Sequence, residues 1–291
     1  MKELLNKYFG YFEYDTEDMD FFIGIYDKIA SDSESLSLWQ RAIQMYEENE
    51  DCDYDEILKL ADRVADRLHI SEYCTEWLIF FCLIPVAHKK FIDAGISEQI
   101  FRDTMMDLKF KLTECKLVKG VRGFFAALWF PGFFRLKRFA LGRLQFEIIN
   151  FGKHYDGSYG DLTPETRVIN IHIPRDGAPL SPEAVDAALF AAREFYRAET
   201  DGNGIFVCYS WLLFPENADI LPPHTNIHKF MTRFEIIRSG TYKDNIDLWR
   251  LFDTDEKHPD RLPADTSARR AYIDHLKRGG KTGWGYGILR L

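Results

Sequence analysis

The stretch RVINIHIPRDGAPLSPEAVDAALFAAREFY, residues 167–196, predicts a strand, a short glycine-containing loop and a helix in direct succession. Isoleucine occupies every second position from Ile169 to Ile173, which indicates a strand with one face in a core and the other able to face a cleft. Ser181 is a favourable N-cap, and Pro182 suits the first helical position. The first turn of a helix leaves backbone N–H groups unpaired at the positive end of its dipole. The junction of loop and helix is therefore a candidate site for a phosphorylated ligand.

The segments on either side extend this unit into a mixed sheet. Residues 205–213 form a nearly continuous apolar run, which is typical of a strand buried on both faces and predicts a parallel βαβ unit. Residues 143–149 alternate in polarity, which favours antiparallel pairing with the strand that begins at residue 167. In GWGYG, residues 283–287, alternate glycines leave one strand face bare, for which tight packing is the favoured explanation. The remaining predicted elements are strands at 246–252 and 283–289, a short helix capped by Thr225 and a helix at 265–277.

The first 118 residues have a helical period throughout. Apolar stripes run from Met19 to Ile29 and from Ile57 to Leu68, and the long apolar helix that follows is expected to bend or end at Pro85. The sequence therefore predicts an α+β protein. An all-helical N-terminal domain, residues 1–118, precedes a mixed β-sheet domain flanked by helices, residues 119–291.

Composition and charge exclude several classes of function. The 37 basic and 46 acidic residues give a net charge of -9, which disfavours nonspecific binding to nucleic acid or to an anionic membrane. The longest apolar stretches, residues 77–87 and 124–134, are too short to span a bilayer. The five cysteines lack the spacing of a metal site, and the first residues do not resemble a secretory signal. We therefore expect a cytoplasmic protein without a bound metal.

Several short motifs of the second half occur together with this order of elements. They are LGRLQFE (141–147), IHIP (171–174), CYSWLL (208–213) and the glycine-rich C-terminus. In this combination the chain resembles a family of bacterial acyltransferase-domain proteins, in which a helical N-terminal domain precedes a divergent GNAT-type N-acyltransferase domain. The likeness covers nearly the whole chain. It implies that acyl-CoA, such as acetyl-CoA, is the co-substrate and that a small-molecule or peptide amine is the acceptor.

The resemblance also implies where CoA lies. In the GNAT fold the fourth strand splays from the fifth, the pantetheine occupies the opening, and the diphosphate rests on the loop before the next helix. Here the two strands are residues 167–174 and 205–213, the loop is residues 175–180 and the helix begins at Ser181, so the implied site coincides with the candidate anion site. The loop departs from the family's usual pattern because it has one glycine and contains Asp176 and Pro179. The CoA-binding residues implied in this way are Ile173, Arg175, Gly177, Ala178, Leu180 and Ser181.

Acyl transfer from a thioester to an amine requires a base for the amine, a donor for the oxyanion and a proton for the departing thiolate. Glu147 and His172 are the candidate bases because each is a polar residue on a predicted strand, and a histidine accepts a proton near neutral pH. Tyr209, on the second parallel strand, is the candidate acid. Each has a structural alternative. Glu147 would pair with Arg143, His172 would be a hydrogen-bonded structural residue, and Tyr209 would be a core tyrosine.

Two rival hypotheses concern the chemistry as a whole. Cys208 would be the nucleophile of a hydrolase or of a ping-pong transferase, although its place in a buried-strand pattern favours an inert core thiol. Alternatively, the second domain is a noncatalytic GNAT-like module that binds an acyl-CoA or a peptide as a sensor or scaffold, because a fold alone does not establish an activity.

Overall fold

The computed structural model describes residues 1–291, which divide into two compact units, Met1–Phe139 and Ala140–Leu291. The division lies C-terminal to the predicted boundary after residue 118. The first unit is helical, and the second is built around a six-stranded mixed sheet flanked by helices. The predicted α+β class is confirmed. None of the helices combines the length and the apolar character that a membrane span requires.

The first unit consists of seven longer helices and a short eighth one. Their starts follow the sequence signals, since Asp15, Asp32, Asp53 and Ser97 each accept a hydrogen bond from a backbone N–H of the first turn. The helices are Lys2–Tyr11 (α1), Thr16–Ser31 (α2), Ser33–Glu48 (α3), Tyr54–Leu68 (α4), Glu72–Asp93 (α5), Glu98–Met105 (α6), Asp107–Lys119 (α7) and Pro131–Phe134 (α8).

Helix α5 forms the centre of the first unit. Residues 77–84 are fully buried, and the indole of Trp77 stacks on the rings of Phe22 and Phe81 with centroid separations of 4.0 and 4.9 Å. Of the two outcomes predicted at Pro85, a bend or an end, the end is wrong, because the helix continues to Asp93. Because α5 is surrounded by apolar neighbours, its packing outweighs the one backbone hydrogen bond that the proline removes.

The second unit contains the sheet, except for Arg138 and Phe139 at the start of its first strand. Its strands are Arg138–Leu141 (β1), Leu144–Asn150 (β2), Arg167–His172 (β3), Ile205–Ser210 (β4), Glu235–Thr241 (β5) and Gly283–Arg290 (β6), in the order β1-β2-β3-β4-β6-β5. Strands β2 and β3 are antiparallel and β3 and β4 are parallel, as the sequence predicts, and β6 is antiparallel to both β4 and β5. The apolar strand β4 is central, and the helix that joins it to β3 is Pro182–Phe195 (α9), with Ser181 as its N-cap.

The two faces of this sheet have different coverings. Helix α9 packs on one face, where the Tyr196 hydroxyl donates a hydrogen bond of 2.8 Å to the carbonyl oxygen of Phe146. The other face carries a cluster that includes Val168, Val207 and Tyr286. A separate apolar cluster is formed around the remaining helices, Asn217–Ile220 (α10), Asn226–Met231 (α11), Trp249–Phe252 (α12) and Ser267–Lys277 (α13).

Two elements of the second unit differ from the prediction. The prediction of a strand at 246–252 is wrong, because this segment contains the short helix α12. Leu248 and Phe252 are buried in the cluster around α13. A short apolar run does not by itself distinguish a buried strand from a buried helix. The strand that was not predicted from the sequence is β5. It lies at the edge of the sheet and is largely exposed, so its sequence lacks an apolar pattern.

Candidate functional site

The parallel strands β3 and β4 are paired over only part of their length. Their register contains two pairs, Ile169 with Phe206 and Asn170 with Val207. Beyond these pairs each strand continues with its outer neighbour, so that His172 pairs with β2 and Tyr209 with β6. The carboxyl ends of β3 and β4 therefore diverge, and they leave an opening in the middle of the sheet. This is the splay that the resemblance implies.

Glu147 and His172 meet on one side of this opening. The antiparallel register of β2 and β3 sets Glu147 opposite Asn170, and Nε2 of His172 lies 2.9 Å from Oε1 of Glu147. Nδ2 of Asn170 donates a bond of 3.2 Å to the same oxygen. Since a carboxylate only accepts hydrogen bonds, Nε2 of His172 carries a proton in this contact. In the neutral ring the basic nitrogen is then Nδ1.

Lys153 and His154, which follow β2 in the sequence, complete this side of the site. Nζ of Lys153 lies 3.6 Å from Oε1 of Glu147. His154 is half-buried, and burial together with the Lys153 charge lowers the pKa of its imidazole below the usual value, while Glu147 opposes that shift. His154 is therefore neutral at physiological pH.

Tyr209 lies on the other side of the opening. Its ring stacks between His154, with a centroid separation of 5.3 Å, and Trp284, with a separation of 4.8 Å. Its side chain remains 40% exposed. Burial of the phenol and the charge of Asp247 raise its pKa, and the neighbouring Tyr242 hydroxyl acts in the opposite direction. The phenol is thus protonated at neutral pH and able to donate.

Two further tyrosines, Tyr242 and Tyr286, lie beside Tyr209. Tyr242 lies close to both Tyr209 and Asp247, and burial and the Asp247 charge raise its pKa well above the usual value. Tyr286 is the register partner of Tyr209 on β6; it is fully buried, and its hydroxyl has no hydrogen-bond partner. A second phenolic donor therefore lies beside the candidate acid.

The alternate glycines of β6 explain why these aromatic rings share one face. A Cβ at Gly285 would lie 2.1 Å from the carbonyl oxygen of Leu213, and one at Gly283 would lie 2.3 Å from the Phe214 ring. The packing explanation of this motif is confirmed. The aromatic residues between the glycines consequently face the opposite side, on which Tyr209 lies.

Arg143 holds the loop between β3 and α9. Its guanidinium donates to the carbonyl oxygens of Ala178 at 3.1 Å and Pro174 at 3.0 Å, and it lies 3.3 Å from the carboxylate of Asp176. Asp176 also accepts a bond of 2.9 Å from the amide of Ala178. The negative charge that the sequence places in this loop is thus countered by Arg143, which contacts the loop and not Glu147.

The other residues implied as CoA ligands lie along the same loop. Gly177 is exposed and has a φ of +79°, with no atom within 4 Å of the position of a Cβ. The amides of Gly177 and Leu180 donate to no protein acceptor. Arg175 forms an ion pair with Asp253, and Ile173, the first residue after β3, is half-buried. Both amides are therefore candidate donors to an anion.

The first turn of α9 is partly capped by the protein itself. Oγ of Ser181 accepts a bond of 3.3 Å from the amide of Ala184. The Glu183 amide and the nearby Ser181 hydroxyl lower the pKa of the Glu183 carboxyl. The donors for an anion are therefore found in the loop before the helix more than in its first turn.

The structure argues against Cys208 as a nucleophile. Its side chain is fully buried, and desolvation raises the pKa of the thiol well above the usual value. No cation counters this shift. The alternative of an inert core thiol fits these observations.

Three of the residues around the opening are predicted from the sequence, and the others are not. Glu147, His172 and Tyr209 lie on one face of the sheet. The missed residues are Lys153, His154, Tyr242, Asp247 and Tyr286. The only sequence signal among the missed residues concerns Lys153 and His154, which are two adjacent basic residues after a predicted strand.

The splayed parallel strands, the loop between β3 and α9 and the helical first unit define a protein of the GNAT-like class. The chain belongs to the family of the GNAT-like C-terminal domain, whose model matches residues 138–289. Residues 3–136 match the N-acyltransferase N-terminal domain. None of the curated proteins matches the sequence of this chain.

Several solved structures are similar to this chain. An acyltransferase in complex with decanoyl-CoA and teicoplanin has a TM-score of 0.76 and 20% identity, covering 99% of this chain and 88% of that one. An acyltransferase mutant in complex with octanoyl-CoA has a TM-score of 0.77 and 20% identity, with the same coverage. An acyltransferase in complex with CoA and 10C-teicoplanin has a TM-score of 0.63 and 24% identity, over 78% of this chain and 68% of that one.

Proposed function

We propose that this protein is an acyl-CoA-dependent N-acyltransferase that transfers the acyl group directly to an amine. The observation that carries the proposal is the opening between β3 and β4, which has a histidine–carboxylate pair on one side and a protonated phenol on the other. Membership of a GNAT-like family supports the same reaction.

In the proposed reaction, the amine nitrogen attacks the thioester carbonyl carbon. The C–N bond forms and the C–S bond breaks. Nδ1 of His172 accepts the proton that the amine loses, while Glu147 holds the ring through Nε2 and Asn170 holds the Glu147 carboxylate. The Tyr209 hydroxyl, whose raised pKa keeps it protonated, donates a proton to the departing thiolate. The products are an amide and free CoA.

The acyl-CoA is proposed to lie with its thioester in the opening and its diphosphate on the loop at residues 173–181. The unpaired amides of Gly177 and Leu180 supply donors there, and Ile173, Ala178 and Ser181 line the same stretch. Arg175 adds a positive charge close by. The unusual composition of this loop fits a diphosphate because Arg143 already balances the charge of Asp176.

The acceptor is proposed to be a small-molecule or peptide amine. Similar structures contain CoA esters of eight- and ten-carbon acids, so donors longer than acetyl-CoA belong to the proposal. Two of them also contain teicoplanin or its 10C form. A cytoplasmic location suits a reaction that consumes acyl-CoA and a chain whose five cysteines are all free.

The test combines binding with turnover. Thermal stabilisation is measured with CoA, acetyl-CoA, octanoyl-CoA and decanoyl-CoA, and thiol release is then followed with a panel of amines that includes teicoplanin. We expect stabilisation by at least one acyl-CoA and amine-dependent release. Stabilisation without release for every acceptor would favour the noncatalytic module, and no stabilisation by any of these compounds would contradict both functions.

A substitution in the loop tests the position of the diphosphate. Gly177→Asp places a carboxylate where the anion is proposed to lie, and we expect CoA affinity to fall at least tenfold. Gly202→Asp is the matched control, because Gly202 also has a positive φ, +70°, with open space around it. Equal CoA affinity in the two variants would place the diphosphate elsewhere.

A further inference from the structure

The helical unit contains a cavity of its own that is widely open to solvent. Its volume is about 710 Å³, within the range of cavities that hold small organic ligands. The walls come from helices α4 and α5 and from the segment 125–129 that follows α7. Every residue that lines it lies within the first unit, and none belongs to the opening in the sheet.

Most of the wall is apolar and held in place. Leu58, Tyr73, Phe125 and Trp129 contribute to it. The indole of Trp129 donates a bond of 3.0 Å to Asp107, and the guanidinium of Arg138 lies 3.8 Å from the centre of its ring. An indole fixed in this way presents a preformed flat surface to the cavity.

Two carboxyl groups face one another across helices α4 and α5 in the same cavity. Asp62 has a buried oxygen, Oδ1, with no hydrogen-bond partner. Glu76 is half-buried on the facing helix, and its pKa is raised to about 7 by burial first and then by the charges of Asp62 and Glu72. The pKa of Asp62 is raised as well, by burial and by its acidic neighbours. None of the groups that shift these two pKa values is a cation.

This arrangement costs stability in the free protein. Partly buried carboxyl groups are normally paired with a cation or hydrogen bonded, and these two half-buried groups repel each other instead. Lys59 also lines the cavity but is exposed at its rim. With Asp55, Asp62 and Glu76 as the acidic residues, the lining carries a formal charge of -2 at high pH. Uncompensated polar groups of this kind are typical of functional sites.

We propose that this cavity binds an amphipathic organic cation, with the ammonium group between Asp62 and Glu76 and the apolar body against Leu58, Phe125 and Trp129. The ammonium group supplies the hydrogen bonds and the charge that the two carboxylates lack, and the aromatic walls bury the hydrocarbon part of the ligand. This site goes beyond the proposed acyl transfer and does not depend on it.

Titration calorimetry at pH 8 with three indole probes tests the proposal on the full chain. Tryptamine is the cation, tryptophol is the neutral alcohol of the same shape, and indole-3-propionate is the anion. We expect tryptamine to bind at least tenfold more tightly than tryptophol, and the anion to show no binding. Equal affinity for the amine and the alcohol, or no binding of tryptamine at millimolar concentration, would overturn the proposal.

Substitutions in and beside the cavity test whether tryptamine binds there. Glu76→Gln is expected to weaken tryptamine binding about tenfold and to leave tryptophol unchanged. Glu72→Gln is the control, because it removes the same charge from the same helix without lining the cavity. Ala127→Trp fills the cavity and is expected to abolish binding of both indoles, with folding checked by circular dichroism. Unchanged tryptamine binding in folded Ala127→Trp, or an equal loss in the two glutamine variants, would overturn the assignment.

Discussion

Replacing Glu76 by glutamine is expected to stabilise the protein above neutral pH. The pKa of this carboxyl is raised from 4.5 to about 7, mainly by burial. One pKa unit corresponds to about 1.36 kcal/mol, so a shift of about 2.5 units sets a ceiling of about 3.4 kcal/mol. Glu76 is only half-buried, and water screens part of the effect. We therefore expect the substitution to raise the free energy of unfolding by about 1–2 kcal/mol at pH 8.

The pH dependence of this gain has a defined sign. Between pH 4.5 and about 7 the folded state holds the proton on Glu76 and the unfolded state releases it. The folded state thus binds more protons in this window, so stability falls as the pH rises through it. Glutamine has no such titration. The difference between the variant and the natural protein should be close to zero at pH 4.5 and largest at pH 8.

Thermal unfolding followed by circular dichroism at pH 4.5, 6, 7 and 8 measures this difference. A gain of about 1–2 kcal/mol corresponds to roughly 2–8 °C in the melting temperature of a unit of this size. Glu72→Gln serves as the control and should give a smaller gain, because Glu72 acts only as a neighbouring charge. A gain that is equal at pH 4.5 and pH 8, or no gain at pH 8, would refute the reasoning.

Three further predictions concern the opening in the sheet. Tyr209→Phe should lower kcat about 10²–10⁴-fold and change CoA affinity less than about twofold, and full activity would exclude the tyrosine as the acid. Glu147→Gln should lower kcat by about 10–100-fold through the loss of a charge-assisted bond to His172, and unchanged steady-state kinetics would contradict its positioning role. Cys208→Ala should leave kcat unchanged and cost about 1 kcal/mol of stability by chemical denaturation, whereas abolished transfer would restore the nucleophile hypothesis.

Local signals explain why the unit from β3 to β4 was predictable. The N-cap Ser181, the proline after it and the apolar stripe of α9 act within a few residues, and the structure follows all three. Pro85 is the opposite case. Its local preference to interrupt a helix is outweighed by the burial of α5 on all sides, which is a property of the tertiary packing.

Some residues of the candidate site could be predicted from the sequence, but the way in which they come together could not. That Glu147 reaches His172 depends on the register of β2 with β3, since a shift of one residue would turn one of them to the opposite face. His154 lies in a turn-rich stretch, and Tyr242 follows the exposed edge strand β5. Such residues have no periodic pattern, and only the folded chain brings them beside Tyr209.

A crystal structure of this protein with decanoyl-CoA bound tests the central claim most directly. We predict that the thioester lies between the diverging ends of β3 and β4, with its sulfur within hydrogen-bonding reach of the Tyr209 hydroxyl. The diphosphate should contact the amides of Gly177 and Leu180. A decanoyl-CoA molecule bound elsewhere, with this opening and this loop unoccupied, would contradict the account.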